Sequence, residues 1–484
     1  MDTTALQVEL RETITVQRRI EDCFRYIRDF STIEQWDPGV YRASKVTLGP
    51  VREGSEFDLL LNVAGKHVPM RYTLNRIEPN ALLQLTGSND TLEALDTLYF
   101  TALENGETRI EYQALLTLRR VPQQLKPFMM PSLNRLGKKA VAGLQRALSV
   151  PAKAAGSPLK NRLKDRLLLP AVFDFTRRGY LNMPNKALSQ FMDGKTVVLT
   201  GPTAGLGLAA ACELSRLGAR LLLVGRDQRR LQEASKVITD FSGAAPDTVE
   251  RYEVELSVMA EVERVARRIQ ADHPKIDVLI NNAGVLPAGR EETSEGNELT
   301  LAVNLLAPAA LTMALRDTLE RAQGRVINVA SGGMYLAGLK LEDLQYRQGK
   351  FDGTRAYARA KRALVAMTEH MALYWRPYKV DFYVMHPGWA ATPGVTKSLP
   401  RFNDSLSAHL RDARMGADTM VWLASAAEVA GQTGKFWFDR QQHTTSVLPG
   451  TAVSAHQSLL LQRQIEQMLA GGAASDLSEG LACS

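Results

Sequence analysis

The sequence predicts two domains of different fold class, an α+β domain followed by an α/β domain with a doubly wound parallel sheet. Before about residue 150, apolar residues recur mostly at every second position, as in antiparallel strands with one buried face. From Lys195 onward, short apolar runs alternate with longer helical patterns, which is typical of a parallel sheet covered by helices on both faces. A glycine-rich turn over 200–207 joins one of those runs to a helical pattern.

Length and composition indicate the broad class. The 484 residues exceed what one ordinary core holds, and 45% hydrophobic with 23% charged residues is typical of a soluble globular protein. The three cysteines, Cys23, Cys212 and Cys483, show no metal-ligand spacing, so we expect no metal site and a reducing compartment. Residues 1–10 lack a signal-peptide core, and no segment reaches about 18 uninterrupted apolar residues. We therefore expect a cytoplasmic location, with neither secretion nor a spanning helix.

The net charge of +7 raises the question of nucleic acid as a partner. The positive residues are not interleaved with aromatic residues on any recognisable binding element. We interpret the charge as a solvated basic surface and expect no nucleic-acid binding.

The first domain is expected over residues 1–150, as a curved antiparallel sheet with two helices. Strand-like alternation occurs at Phe57, Leu59, Leu61 and Val63, and again at Ile110, Tyr112, Ala114, Leu116 and Leu118. Helical spacing relates Ile20, Cys23, Phe24 and Ile27, and again Leu133, Leu136, Ala140, Leu144 and Leu148. The predicted order is strand, helix, many strands and a long helix.

That order, with Trp36-Asp37-Pro38 after the first helix, resembles the START-like (SRPBCC, polyketide cyclase-like) superfamily over roughly residues 10–148. The resemblance implies a helix-grip fold, in which the sheet wraps a long C-terminal helix around an apolar, ligand-binding cavity. A purely structural accessory domain is one alternative, and a cyclase is another. The polar candidates for a cyclase, Asp37, Glu56, His67 and Asp96, form no spacing that we recognise.

Residues 151–193 are expected to form a basic, partly amphipathic linker. Its start, 151–158, is rich in proline, alanine and glycine, a composition that favours flexibility. Basic residues then precede and follow the apolar positions 167–169, 172, 173 and 175. Two interpretations are open: peripheral contact with an anionic membrane surface, and a linker helix packed on the second domain, which we favour.

The second domain is expected over residues 194–470, and the small, polar tail 471–484 is expected to be disordered. The predicted strands are 196–200, 220–224, 277–280, 325–329 and 380–385. The turn Thr200–Gly207 that follows the first strand has glycines spaced as in a dinucleotide cradle, where the pyrophosphate lies against a helix N-terminus.

Tyr357 and Lys361 are four residues apart in a helical pattern and therefore share one face. The free phenol has a pKa near 10, which a fixed cation nearby can lower toward the range of a general base. Ser331 follows the strand 325–329, where a hydroxyl donor could stabilise developing negative charge, although serine is also a common turn residue.

With Asn281-Asn282-Ala283-Gly284 after the 277–280 strand, these features resemble the short-chain dehydrogenase/reductase family over about residues 195–469. The family is marked by a TGxxxGxG turn, an NNAG sequence, a serine after the fifth strand and a YxxxK helix on a Rossmann-type sheet. The resemblance implies a catalytic tetrad of Asn304, Ser331, Tyr357 and Lys361. Tyr357 would be the general acid, Lys361 would also bind the nicotinamide ribose, and Asn304 would hold a water in the proton relay, unless it only bonds backbone.

The resemblance also implies a set of residues that hold the dinucleotide. Besides Tyr357 and Lys361, these are Gly201, Thr203, Gly205, Leu206, Gly207, Arg226, Asn281, Ala283, Gly284, Pro387, Gly388 and Thr392. Pro387, Gly388 and Thr392 belong to a PGxxxT loop, before which His386 is interpreted as structural.

The residue that ends the second strand favours NADP(H), with NAD(H) as the alternative. Gly225-Arg226-Asp227 lacks the usual acid at the strand tip, and the Arg226 guanidinium suits a 2′-phosphate. If the Asp227 carboxylate faces the ribose instead, that preference weakens.

Three departures from the family pattern are Pro202, Glu255 in place of an aspartate near the adenine, and a long segment between Ser331 and Tyr357. With that segment, the second half resembles the retinol-dehydrogenase-like and dehydrogenase/reductase member 12 branches. We expect an oxidoreductase that interconverts a carbonyl and an alcohol on a small hydrophobic, lipid-like substrate, because Trp389, Leu399 and Phe402 lie in the substrate loop. The first half, which resembles a lipid pocket, is expected to bind this apolar substrate. The alternative is a lipid-binding or transfer protein whose second half is a nucleotide-bound redox sensor, and a homodimer is a further expectation from the family.

Overall fold

A computed structural model describes residues 6–63, 66–119, 121, 126–149, 174–181, 183, 191–391 and 409–471. The chain divides into two compact units. The described residues up to Ser149 belong to the first unit, and those from Asp174 onward belong to the second.

The first unit contains one seven-stranded antiparallel sheet with the strand order β1-β7-β6-β5-β4-β3-β2. The strands are β1 Leu6–Val16, β2 Val40–Lys45, β3 Glu56–Val63, β4 Lys66–Glu78, β5 Leu82–Ser88, β6 Leu92–Ala102 and β7 Thr108–Leu118. From β3 to β7, each strand pairs antiparallel with the next strand in the chain. The first strand, β1, pairs antiparallel with β7. This is the predicted α+β arrangement.

Three helices accompany this sheet: α1 Ile20–Arg28, α2 Ile33–Trp36 and α3 Lys126–Leu148. The long helix approaches α2 so closely that a Cβ at Gly143 would lie 1.9 Å from the Trp36 carbonyl oxygen. Two predicted core positions lie at the surface instead, Val63 at 52% exposure and Leu136 at 45%. Val63 ends its strand and Leu136 lies in the half of α3 that precedes its buried segment, so neither is covered by the sheet.

The second unit contains an eight-stranded sheet in the order β10-β9-β8-β11-β12-β13-β14-β15. The strands are β8 Thr196–Thr200, β9 Arg220–Gly225, β10 Val249–Glu253, β11 Val278–Asn281, β12 Arg325–Val329, β13 Asp381–Met385, β14 Lys435–Phe438 and β15 Gln441–His443. All neighbours are parallel except β14 and β15. The order reverses between β8 and β11, which is the point where doubly wound sheets bind ligands.

Helices connect these strands. They are α4 Arg177–Leu181, α5 Gly205–Arg216, α6 Gln228–Ser242, α7 Met259–Asp272, α8 Leu299–Leu301, α9 Ala307–Ala314, α10 Arg316–Ala322, α11 Gly353–Tyr374, α12 Ala413–Ser425 and α13 Ala455–Leu469. Buried aliphatic residues fill both faces of the sheet, as expected for strands covered on both sides. The predicted doubly wound α/β fold is confirmed.

Two predicted strand starts are one residue early. The Asp277 carboxylate accepts from Thr196 N and Lys195 Nζ, at 2.9 and 2.8 Å, so this residue ties two strands together before β11 begins. Val380 is likewise buried just before β13. Most of the predicted linker, the tail beyond 471 and the substrate-loop residues Leu399 and Phe402 lie outside the described residues.

Within the described ranges, no single helix combines the length and apolar composition needed to cross a bilayer; only the bent pair Leu299–Ala314 and Arg316–Ala322 meets that test jointly.

Candidate active site

The glycine-rich turn lies where β8 ends and α5 begins. Gly201 and Gly205 have φ angles of +66° and +52°, which L side chains rarely adopt. A Cβ at Gly207 would lie 2.0 Å from the Gly201 carbonyl oxygen, so only glycine fits there. Thr203 lies in this turn, and the backbone N–H groups of Gly205 and Leu206 lie at the start of α5. The turn and the 12-residue helix behind it therefore fit the pyrophosphate of a dinucleotide.

The segment after β11 supports that turn through the side chain of Asn282. Asn282 Nδ2 donates to the carbonyl oxygens of Thr200 and Gly201, at 3.0 and 3.2 Å. The Thr200 hydroxyl accepts from the backbone N–H of Ala283 at 3.0 Å. The Asn281 side chain is buried instead and donates to Asn328 Oδ1 at 2.8 Å. The predicted cofactor contact of Asn281 stays a prediction.

Ser331 and Tyr357 meet beyond the end of β12. Ser331 follows this strand with extended backbone, and its Oγ accepts from Gly333 N at 3.3 Å. Tyr357 lies in the second turn of α11 and is half-buried. Burial raises the pKa of Tyr357, while a hydrogen bond from the Ser331 side chain acts in the opposite direction. The expected lowering by Lys361 is not found in the protein alone.

Lys361 is buried one turn further along α11, with only 3% of its surface exposed. Its Nζ lies 5.7 Å from the centre of the Tyr357 ring and donates to the Val329 carbonyl oxygen at 2.9 Å. Burial lowers the pKa of Lys361 to about 7. Burial thus disfavours the charged form of Lys361.

Asn304 lies in a π-helical turn, Ala302–Leu306, inserted between α8 and α9. Its Nδ2 donates to the carbonyl oxygens of Val285 and Thr300, both at 2.9 Å, and its Oδ1 accepts from Val285 N at 3.3 Å. Gly284 lies against it, since a Cβ there would be 2.7 Å from Asn304 Oδ1 and 3.6 Å from Lys361 Nζ. The Asn304 amide therefore bonds backbone groups, as in the alternative interpretation, and Gly284 lies between it and Lys361.

The loop after β13 contains Pro387 and Gly388. Gly388 has a φ of +76°, and a Cβ there would lie 2.3 Å from Arg411 Nε. Arg411 N donates to the Trp389 carbonyl oxygen at 2.7 Å, which fixes the loop against the chain that resumes at His409. Thr392, the last predicted cofactor residue of this loop, lies outside the described residues.

The end of β9 carries Arg226 with its side chain 72% exposed. Its Nη1 is 3.8 Å from Glu255 Oε2. Asp227 is the N-cap of α6, where its Oδ1 accepts from Arg230 N at 3.0 Å. The carboxylate of Asp227 caps α6. Of these two side chains, Arg226 is therefore the one that can contact a ligand at the end of β9.

The family profile described as "short chain dehydrogenase" matches residues 195–401. Human "Dehydrogenase/reductase SDR family member 12" is 36% identical over 58% of this chain and 89% of its own length. The chain belongs to the short-chain dehydrogenase/reductase family. A Streptomyces sp. (strain C5) protein named as a daunorubicin C-13 ketoreductase is 34% identical, over 52% of this chain and 85% of its own. Mouse "Retinol dehydrogenase 14" is 32% identical, over 51% and 78%. The chain is thus an oxidoreductase of this family.

A second profile, described as "Polyketide cyclase / dehydrase and lipid transport", matches residues 7–149 of this dehydrogenase/reductase. It covers the antiparallel sheet and the long helix α3. The START-like resemblance of the first half is therefore confirmed.

The second unit also includes a short segment ahead of the short-chain dehydrogenase match. The Phe175 ring packs edge-on against His386 at 4.7 Å between ring centres, and also against Trp389 and Phe438. The Trp389 backbone N–H donates to the Phe175 carbonyl oxygen at 2.7 Å. The described part of the predicted linker therefore packs on the catalytic domain, which is the interpretation that we favoured.

Two of the polar candidates for a cyclase, Asp37 and Asp96, lie in one polar cluster inside the first unit. Their partners Tyr72 and Tyr112 were missed by sequence reasoning, because the four residues are far apart in the chain. The Tyr112 hydroxyl donates to Asp96 at 2.9 Å, and Tyr72 also bonds this carboxyl. Burial raises the pKa of Asp96 to about 6, and Asp37 nearby has its pKa raised to about 6 by burial as well. Glu56 and His67 lie elsewhere, the first beside Arg71 and the second stacked on Tyr41. Strand alternation places Tyr72, Asp96 and Tyr112 on the inward face of the sheet. This alternation was the sequence pattern from which the cluster could have been predicted.

Proposed function

We propose that this protein is an NADP(H)-dependent oxidoreductase that interconverts a carbonyl and an alcohol on a small hydrophobic, lipid-like substrate. The observation that carries the proposal is the convergence of Ser331, Tyr357 and Lys361 beyond the ends of β11 and β12, with Asn304 beside the lysine. These residues come from separate segments, and hydroxyl, phenol, ammonium and amide groups together can hold and move a proton.

In the proposed reaction, the residues act on the substrate oxygen. The Tyr357 hydroxyl gives a proton to the carbonyl oxygen during reduction and takes it back during oxidation. The Ser331 hydroxyl donates to the same oxygen and stabilises its developing negative charge. The Lys361 ammonium then returns a proton to Tyr357 and is reprotonated from solvent through a water that Asn304 would hold. When bound, the nicotinamide dinucleotide supplies or removes the hydride, and the turn containing Gly201, Gly205 and Gly207 would hold its pyrophosphate.

Arg226 supports NADP(H) as the preferred cofactor, with NAD(H) as the alternative. Its guanidinium is largely exposed at the end of β9, where a ribose 2′-phosphate would form charge-assisted bonds. Asp227 is engaged as a helix cap and does not compete for that position. The exposed pair with Glu255, at 3.8 Å, is weak and would yield to a phosphate.

The apolar character of the substrate is inferred from the residues near Ser331. The turn after it, Gly332–Leu336, ends in a leucine that is 78% exposed. An exposed leucine in the turn that follows the proposed catalytic serine suits a molecule with a large apolar part. The names of two relatives, "Retinol dehydrogenase 14" and a daunorubicin C-13 ketoreductase, support the same substrate class.

The proposal is tested with purified full-length protein and a panel of aliphatic aldehydes of increasing length, retinal and aromatic ketones. We expect NADPH to be consumed and the alcohol to be formed in equal amounts, with kcat/KM rising with apolar size. Ser331→Ala should lose most of this turnover. Ser425→Ala, which removes a hydroxyl bonded only within its own helix, should not. No turnover of any compound in either direction, with either cofactor, would contradict the proposal.

A second candidate function is lipid binding or transfer by the first half, with the second half as a nucleotide-bound redox sensor. It is favoured by the match of residues 7–149 to a profile whose description includes lipid transport. Mass spectrometry of molecules extracted from the purified full chain distinguishes the two. If about one lipid molecule is bound per chain and the protein reduces no compound of the carbonyl panel, the second candidate is favoured over the first.

A further inference from the structure

His386 joins the end of β13 to the turn that contains Ser331. Its side chain is buried, with 2% of its surface exposed, and Nδ1 accepts a hydrogen bond from Gly332 N at 3.1 Å. Since Nδ1 is the acceptor, the neutral ring carries its proton on Nε2. Burial, with Arg411 and His443 nearby, lowers the pKa of His386 to about 3. The imidazole is therefore a neutral acceptor at all working pH values.

The turn after Ser331 depends on that acceptor. Ser331 Oγ accepts from Gly333 N at 3.3 Å, and the Ser331 carbonyl oxygen accepts from Met334 N at 3.1 Å. The intervening N–H of Gly332 is paired with the imidazole. A buried N–H without an acceptor costs about 1–3 kcal/mol, and a turn that rotated to avoid this cost would move the Ser331 hydroxyl with it.

Two aromatic rings hold the imidazole in place. Phe438 lies stacked on it at 5.2 Å between ring centres, and Phe175 packs edge-on at 4.7 Å. A Cβ at Gly332 would lie 3.0 Å from His386 Nε2 and 3.2 Å from the Phe175 ring. The imidazole, both phenyl rings and the glycine are therefore tightly packed, and the ring cannot turn without displacing its neighbours.

Arg411 fixes the segment that carries Phe175. Its guanidinium donates to the carbonyl oxygens of Asp174, Phe175 and Thr176, at 2.7, 3.1 and 3.1 Å. It also binds the Asp439 carboxylate with two bonds of 2.6 and 2.8 Å. Arg411 is 2% exposed, and its bonds tie the backbone at Phe175 to the Asp439 carboxylate.

We infer that His386 is a positioning residue for Ser331: it is a fixed hydrogen-bond acceptor that sets the Ser331–Gly332 turn and is itself clamped by Phe175 and Phe438. The inference rests on the proposed function for its effect on turnover. It assigns no proton transfer to His386, whose Nε2 is buried and meets no described hydrogen-bond partner. It also extends the catalytic unit to Phe175, which precedes the 195–401 family match.

The test compares His386→Asn with His386→Leu in the full chain. Asparagine places an oxygen at the δ position and can accept from Gly332 N, whereas leucine places carbon there. With NADPH and decanal as the probe, we expect leucine to lower kcat about 10-fold to 100-fold while the KM for NADPH changes little. Asparagine should restore most of that loss. His273→Leu, which removes a half-buried histidine bonded to Glu250, is the control for packing.

A double-mutant cycle shows whether the effect passes through Ser331. In a Ser331→Ala background, His386→Leu should cost less than twofold further, because no hydroxyl is left to misplace. Equal kcat for the leucine and asparagine variants, or the same loss in both backgrounds, would overturn the inference.

Hydrogen exchange of the cofactor-free protein tests the same contact without turnover. The peptide containing Gly332 should exchange at least several-fold faster in His386→Leu and at the original rate in His386→Asn. Unchanged exchange in the leucine variant would overturn the inference even if the enzyme is active. An inactive wild-type protein with the expected exchange pattern would contradict only the proposed function.

Discussion

Lys361 donates a hydrogen bond from Nζ to the carbonyl oxygen of Val329 at 2.9 Å, which ties helix α11 to the last residue of strand β12. Ser331 is two residues beyond that strand, and Tyr357 is one turn earlier on that helix. The bond therefore fixes the distance between the two hydroxyl groups that we propose bind the substrate oxygen. It also holds the Lys361 amino group away from water, and we expect the stability of the protein to depend on pH as a result.

The stability of the cofactor-free protein is expected to depend on the Lys361 charge. Burial lowers the pKa of Lys361 to about 7, so above pH 7 the folded state binds fewer protons here than the unfolded state, and stability rises with pH. The Tm of Lys361→Met minus that of wild type should therefore fall between pH 6.5 and 9. Thermal melting measures this, with the exposed Lys275→Met as the control. A difference that stays constant across this range would contradict the assignment.

Gly207→Ala should abolish cofactor binding or weaken it at least tenfold. A Cβ there would lie 2.0 Å from the Gly201 carbonyl oxygen and 2.7 Å from Asn282 Nδ2, so the turn must open. Isothermal titration with NADPH measures the loss. Gly289→Ala is the matched control, because its Cβ meets nothing within 4 Å. Equal affinity in both variants would show that the turn does not hold the dinucleotide.

Arg226→Ala should raise the KM for NADPH about 10-fold to 100-fold and leave that for NADH nearly unchanged. The guanidinium is expected to bond the 2′-phosphate, and hydrogen bonds to charged groups contribute about 1.5–3 kcal/mol. Arg229→Ala, which removes an exposed arginine paired with Glu233 on the next helix, is the control. Equal effects on both cofactors would reject the preference for NADP(H).

The first unit should lose stability as the pH rises from about 4 to 6. Burial raises the pKa of Asp96 to about 6, so its contribution is fully present below the unfolded pKa and is lost as the pH rises through the folded one. Asp96→Asn should therefore gain stability relative to wild type over this interval, by up to about 3 kcal/mol.

Urea unfolding followed by fluorine NMR of 5-fluorotryptophan isolates this unit, because Trp36 is the only tryptophan before residue 375. The exposed Asp90→Asn is the control. A stability difference between Asp96→Asn and wild type that does not change from pH 4 to 7 would show that the carboxyl does not titrate as described.

Local patterns were sufficient to predict much of the fold. The strand alternation in the first half and the apolar segments before Gly201 and Ser331 each indicate which of a few neighbouring residues are buried. The two fold classes and the glycine turn could therefore be predicted. The pairing of β1 with β7 could not, because it joins the two ends of the unit and leaves no local signal.

The site was predictable where its residues form short motifs. Tyr357 and Lys361 share a helix face, and their positions follow from spacing alone. The supporting residues do not: Phe175 and Arg411 are 236 positions apart and meet through a carbonyl oxygen, which no sequence pattern marks. Asn281 and Asn282 are adjacent, and the sequence did not tell which of the two side chains faces the turn. The pKa of Tyr357 depends on burial, which spacing does not reveal.

The most direct test of the central claim is single-turnover reduction by Tyr357→Phe, compared with wild type and with the exposed Tyr374→Phe. The phenol oxygen is the proposed proton donor, whereas the ring fills the same space in both forms. We predict that Tyr357→Phe binds NADPH with an affinity within about threefold of wild type and reduces the carbonyl probe at least 1,000-fold more slowly, on the scale of a lost general acid. Full-rate reduction by Tyr357→Phe would contradict the account.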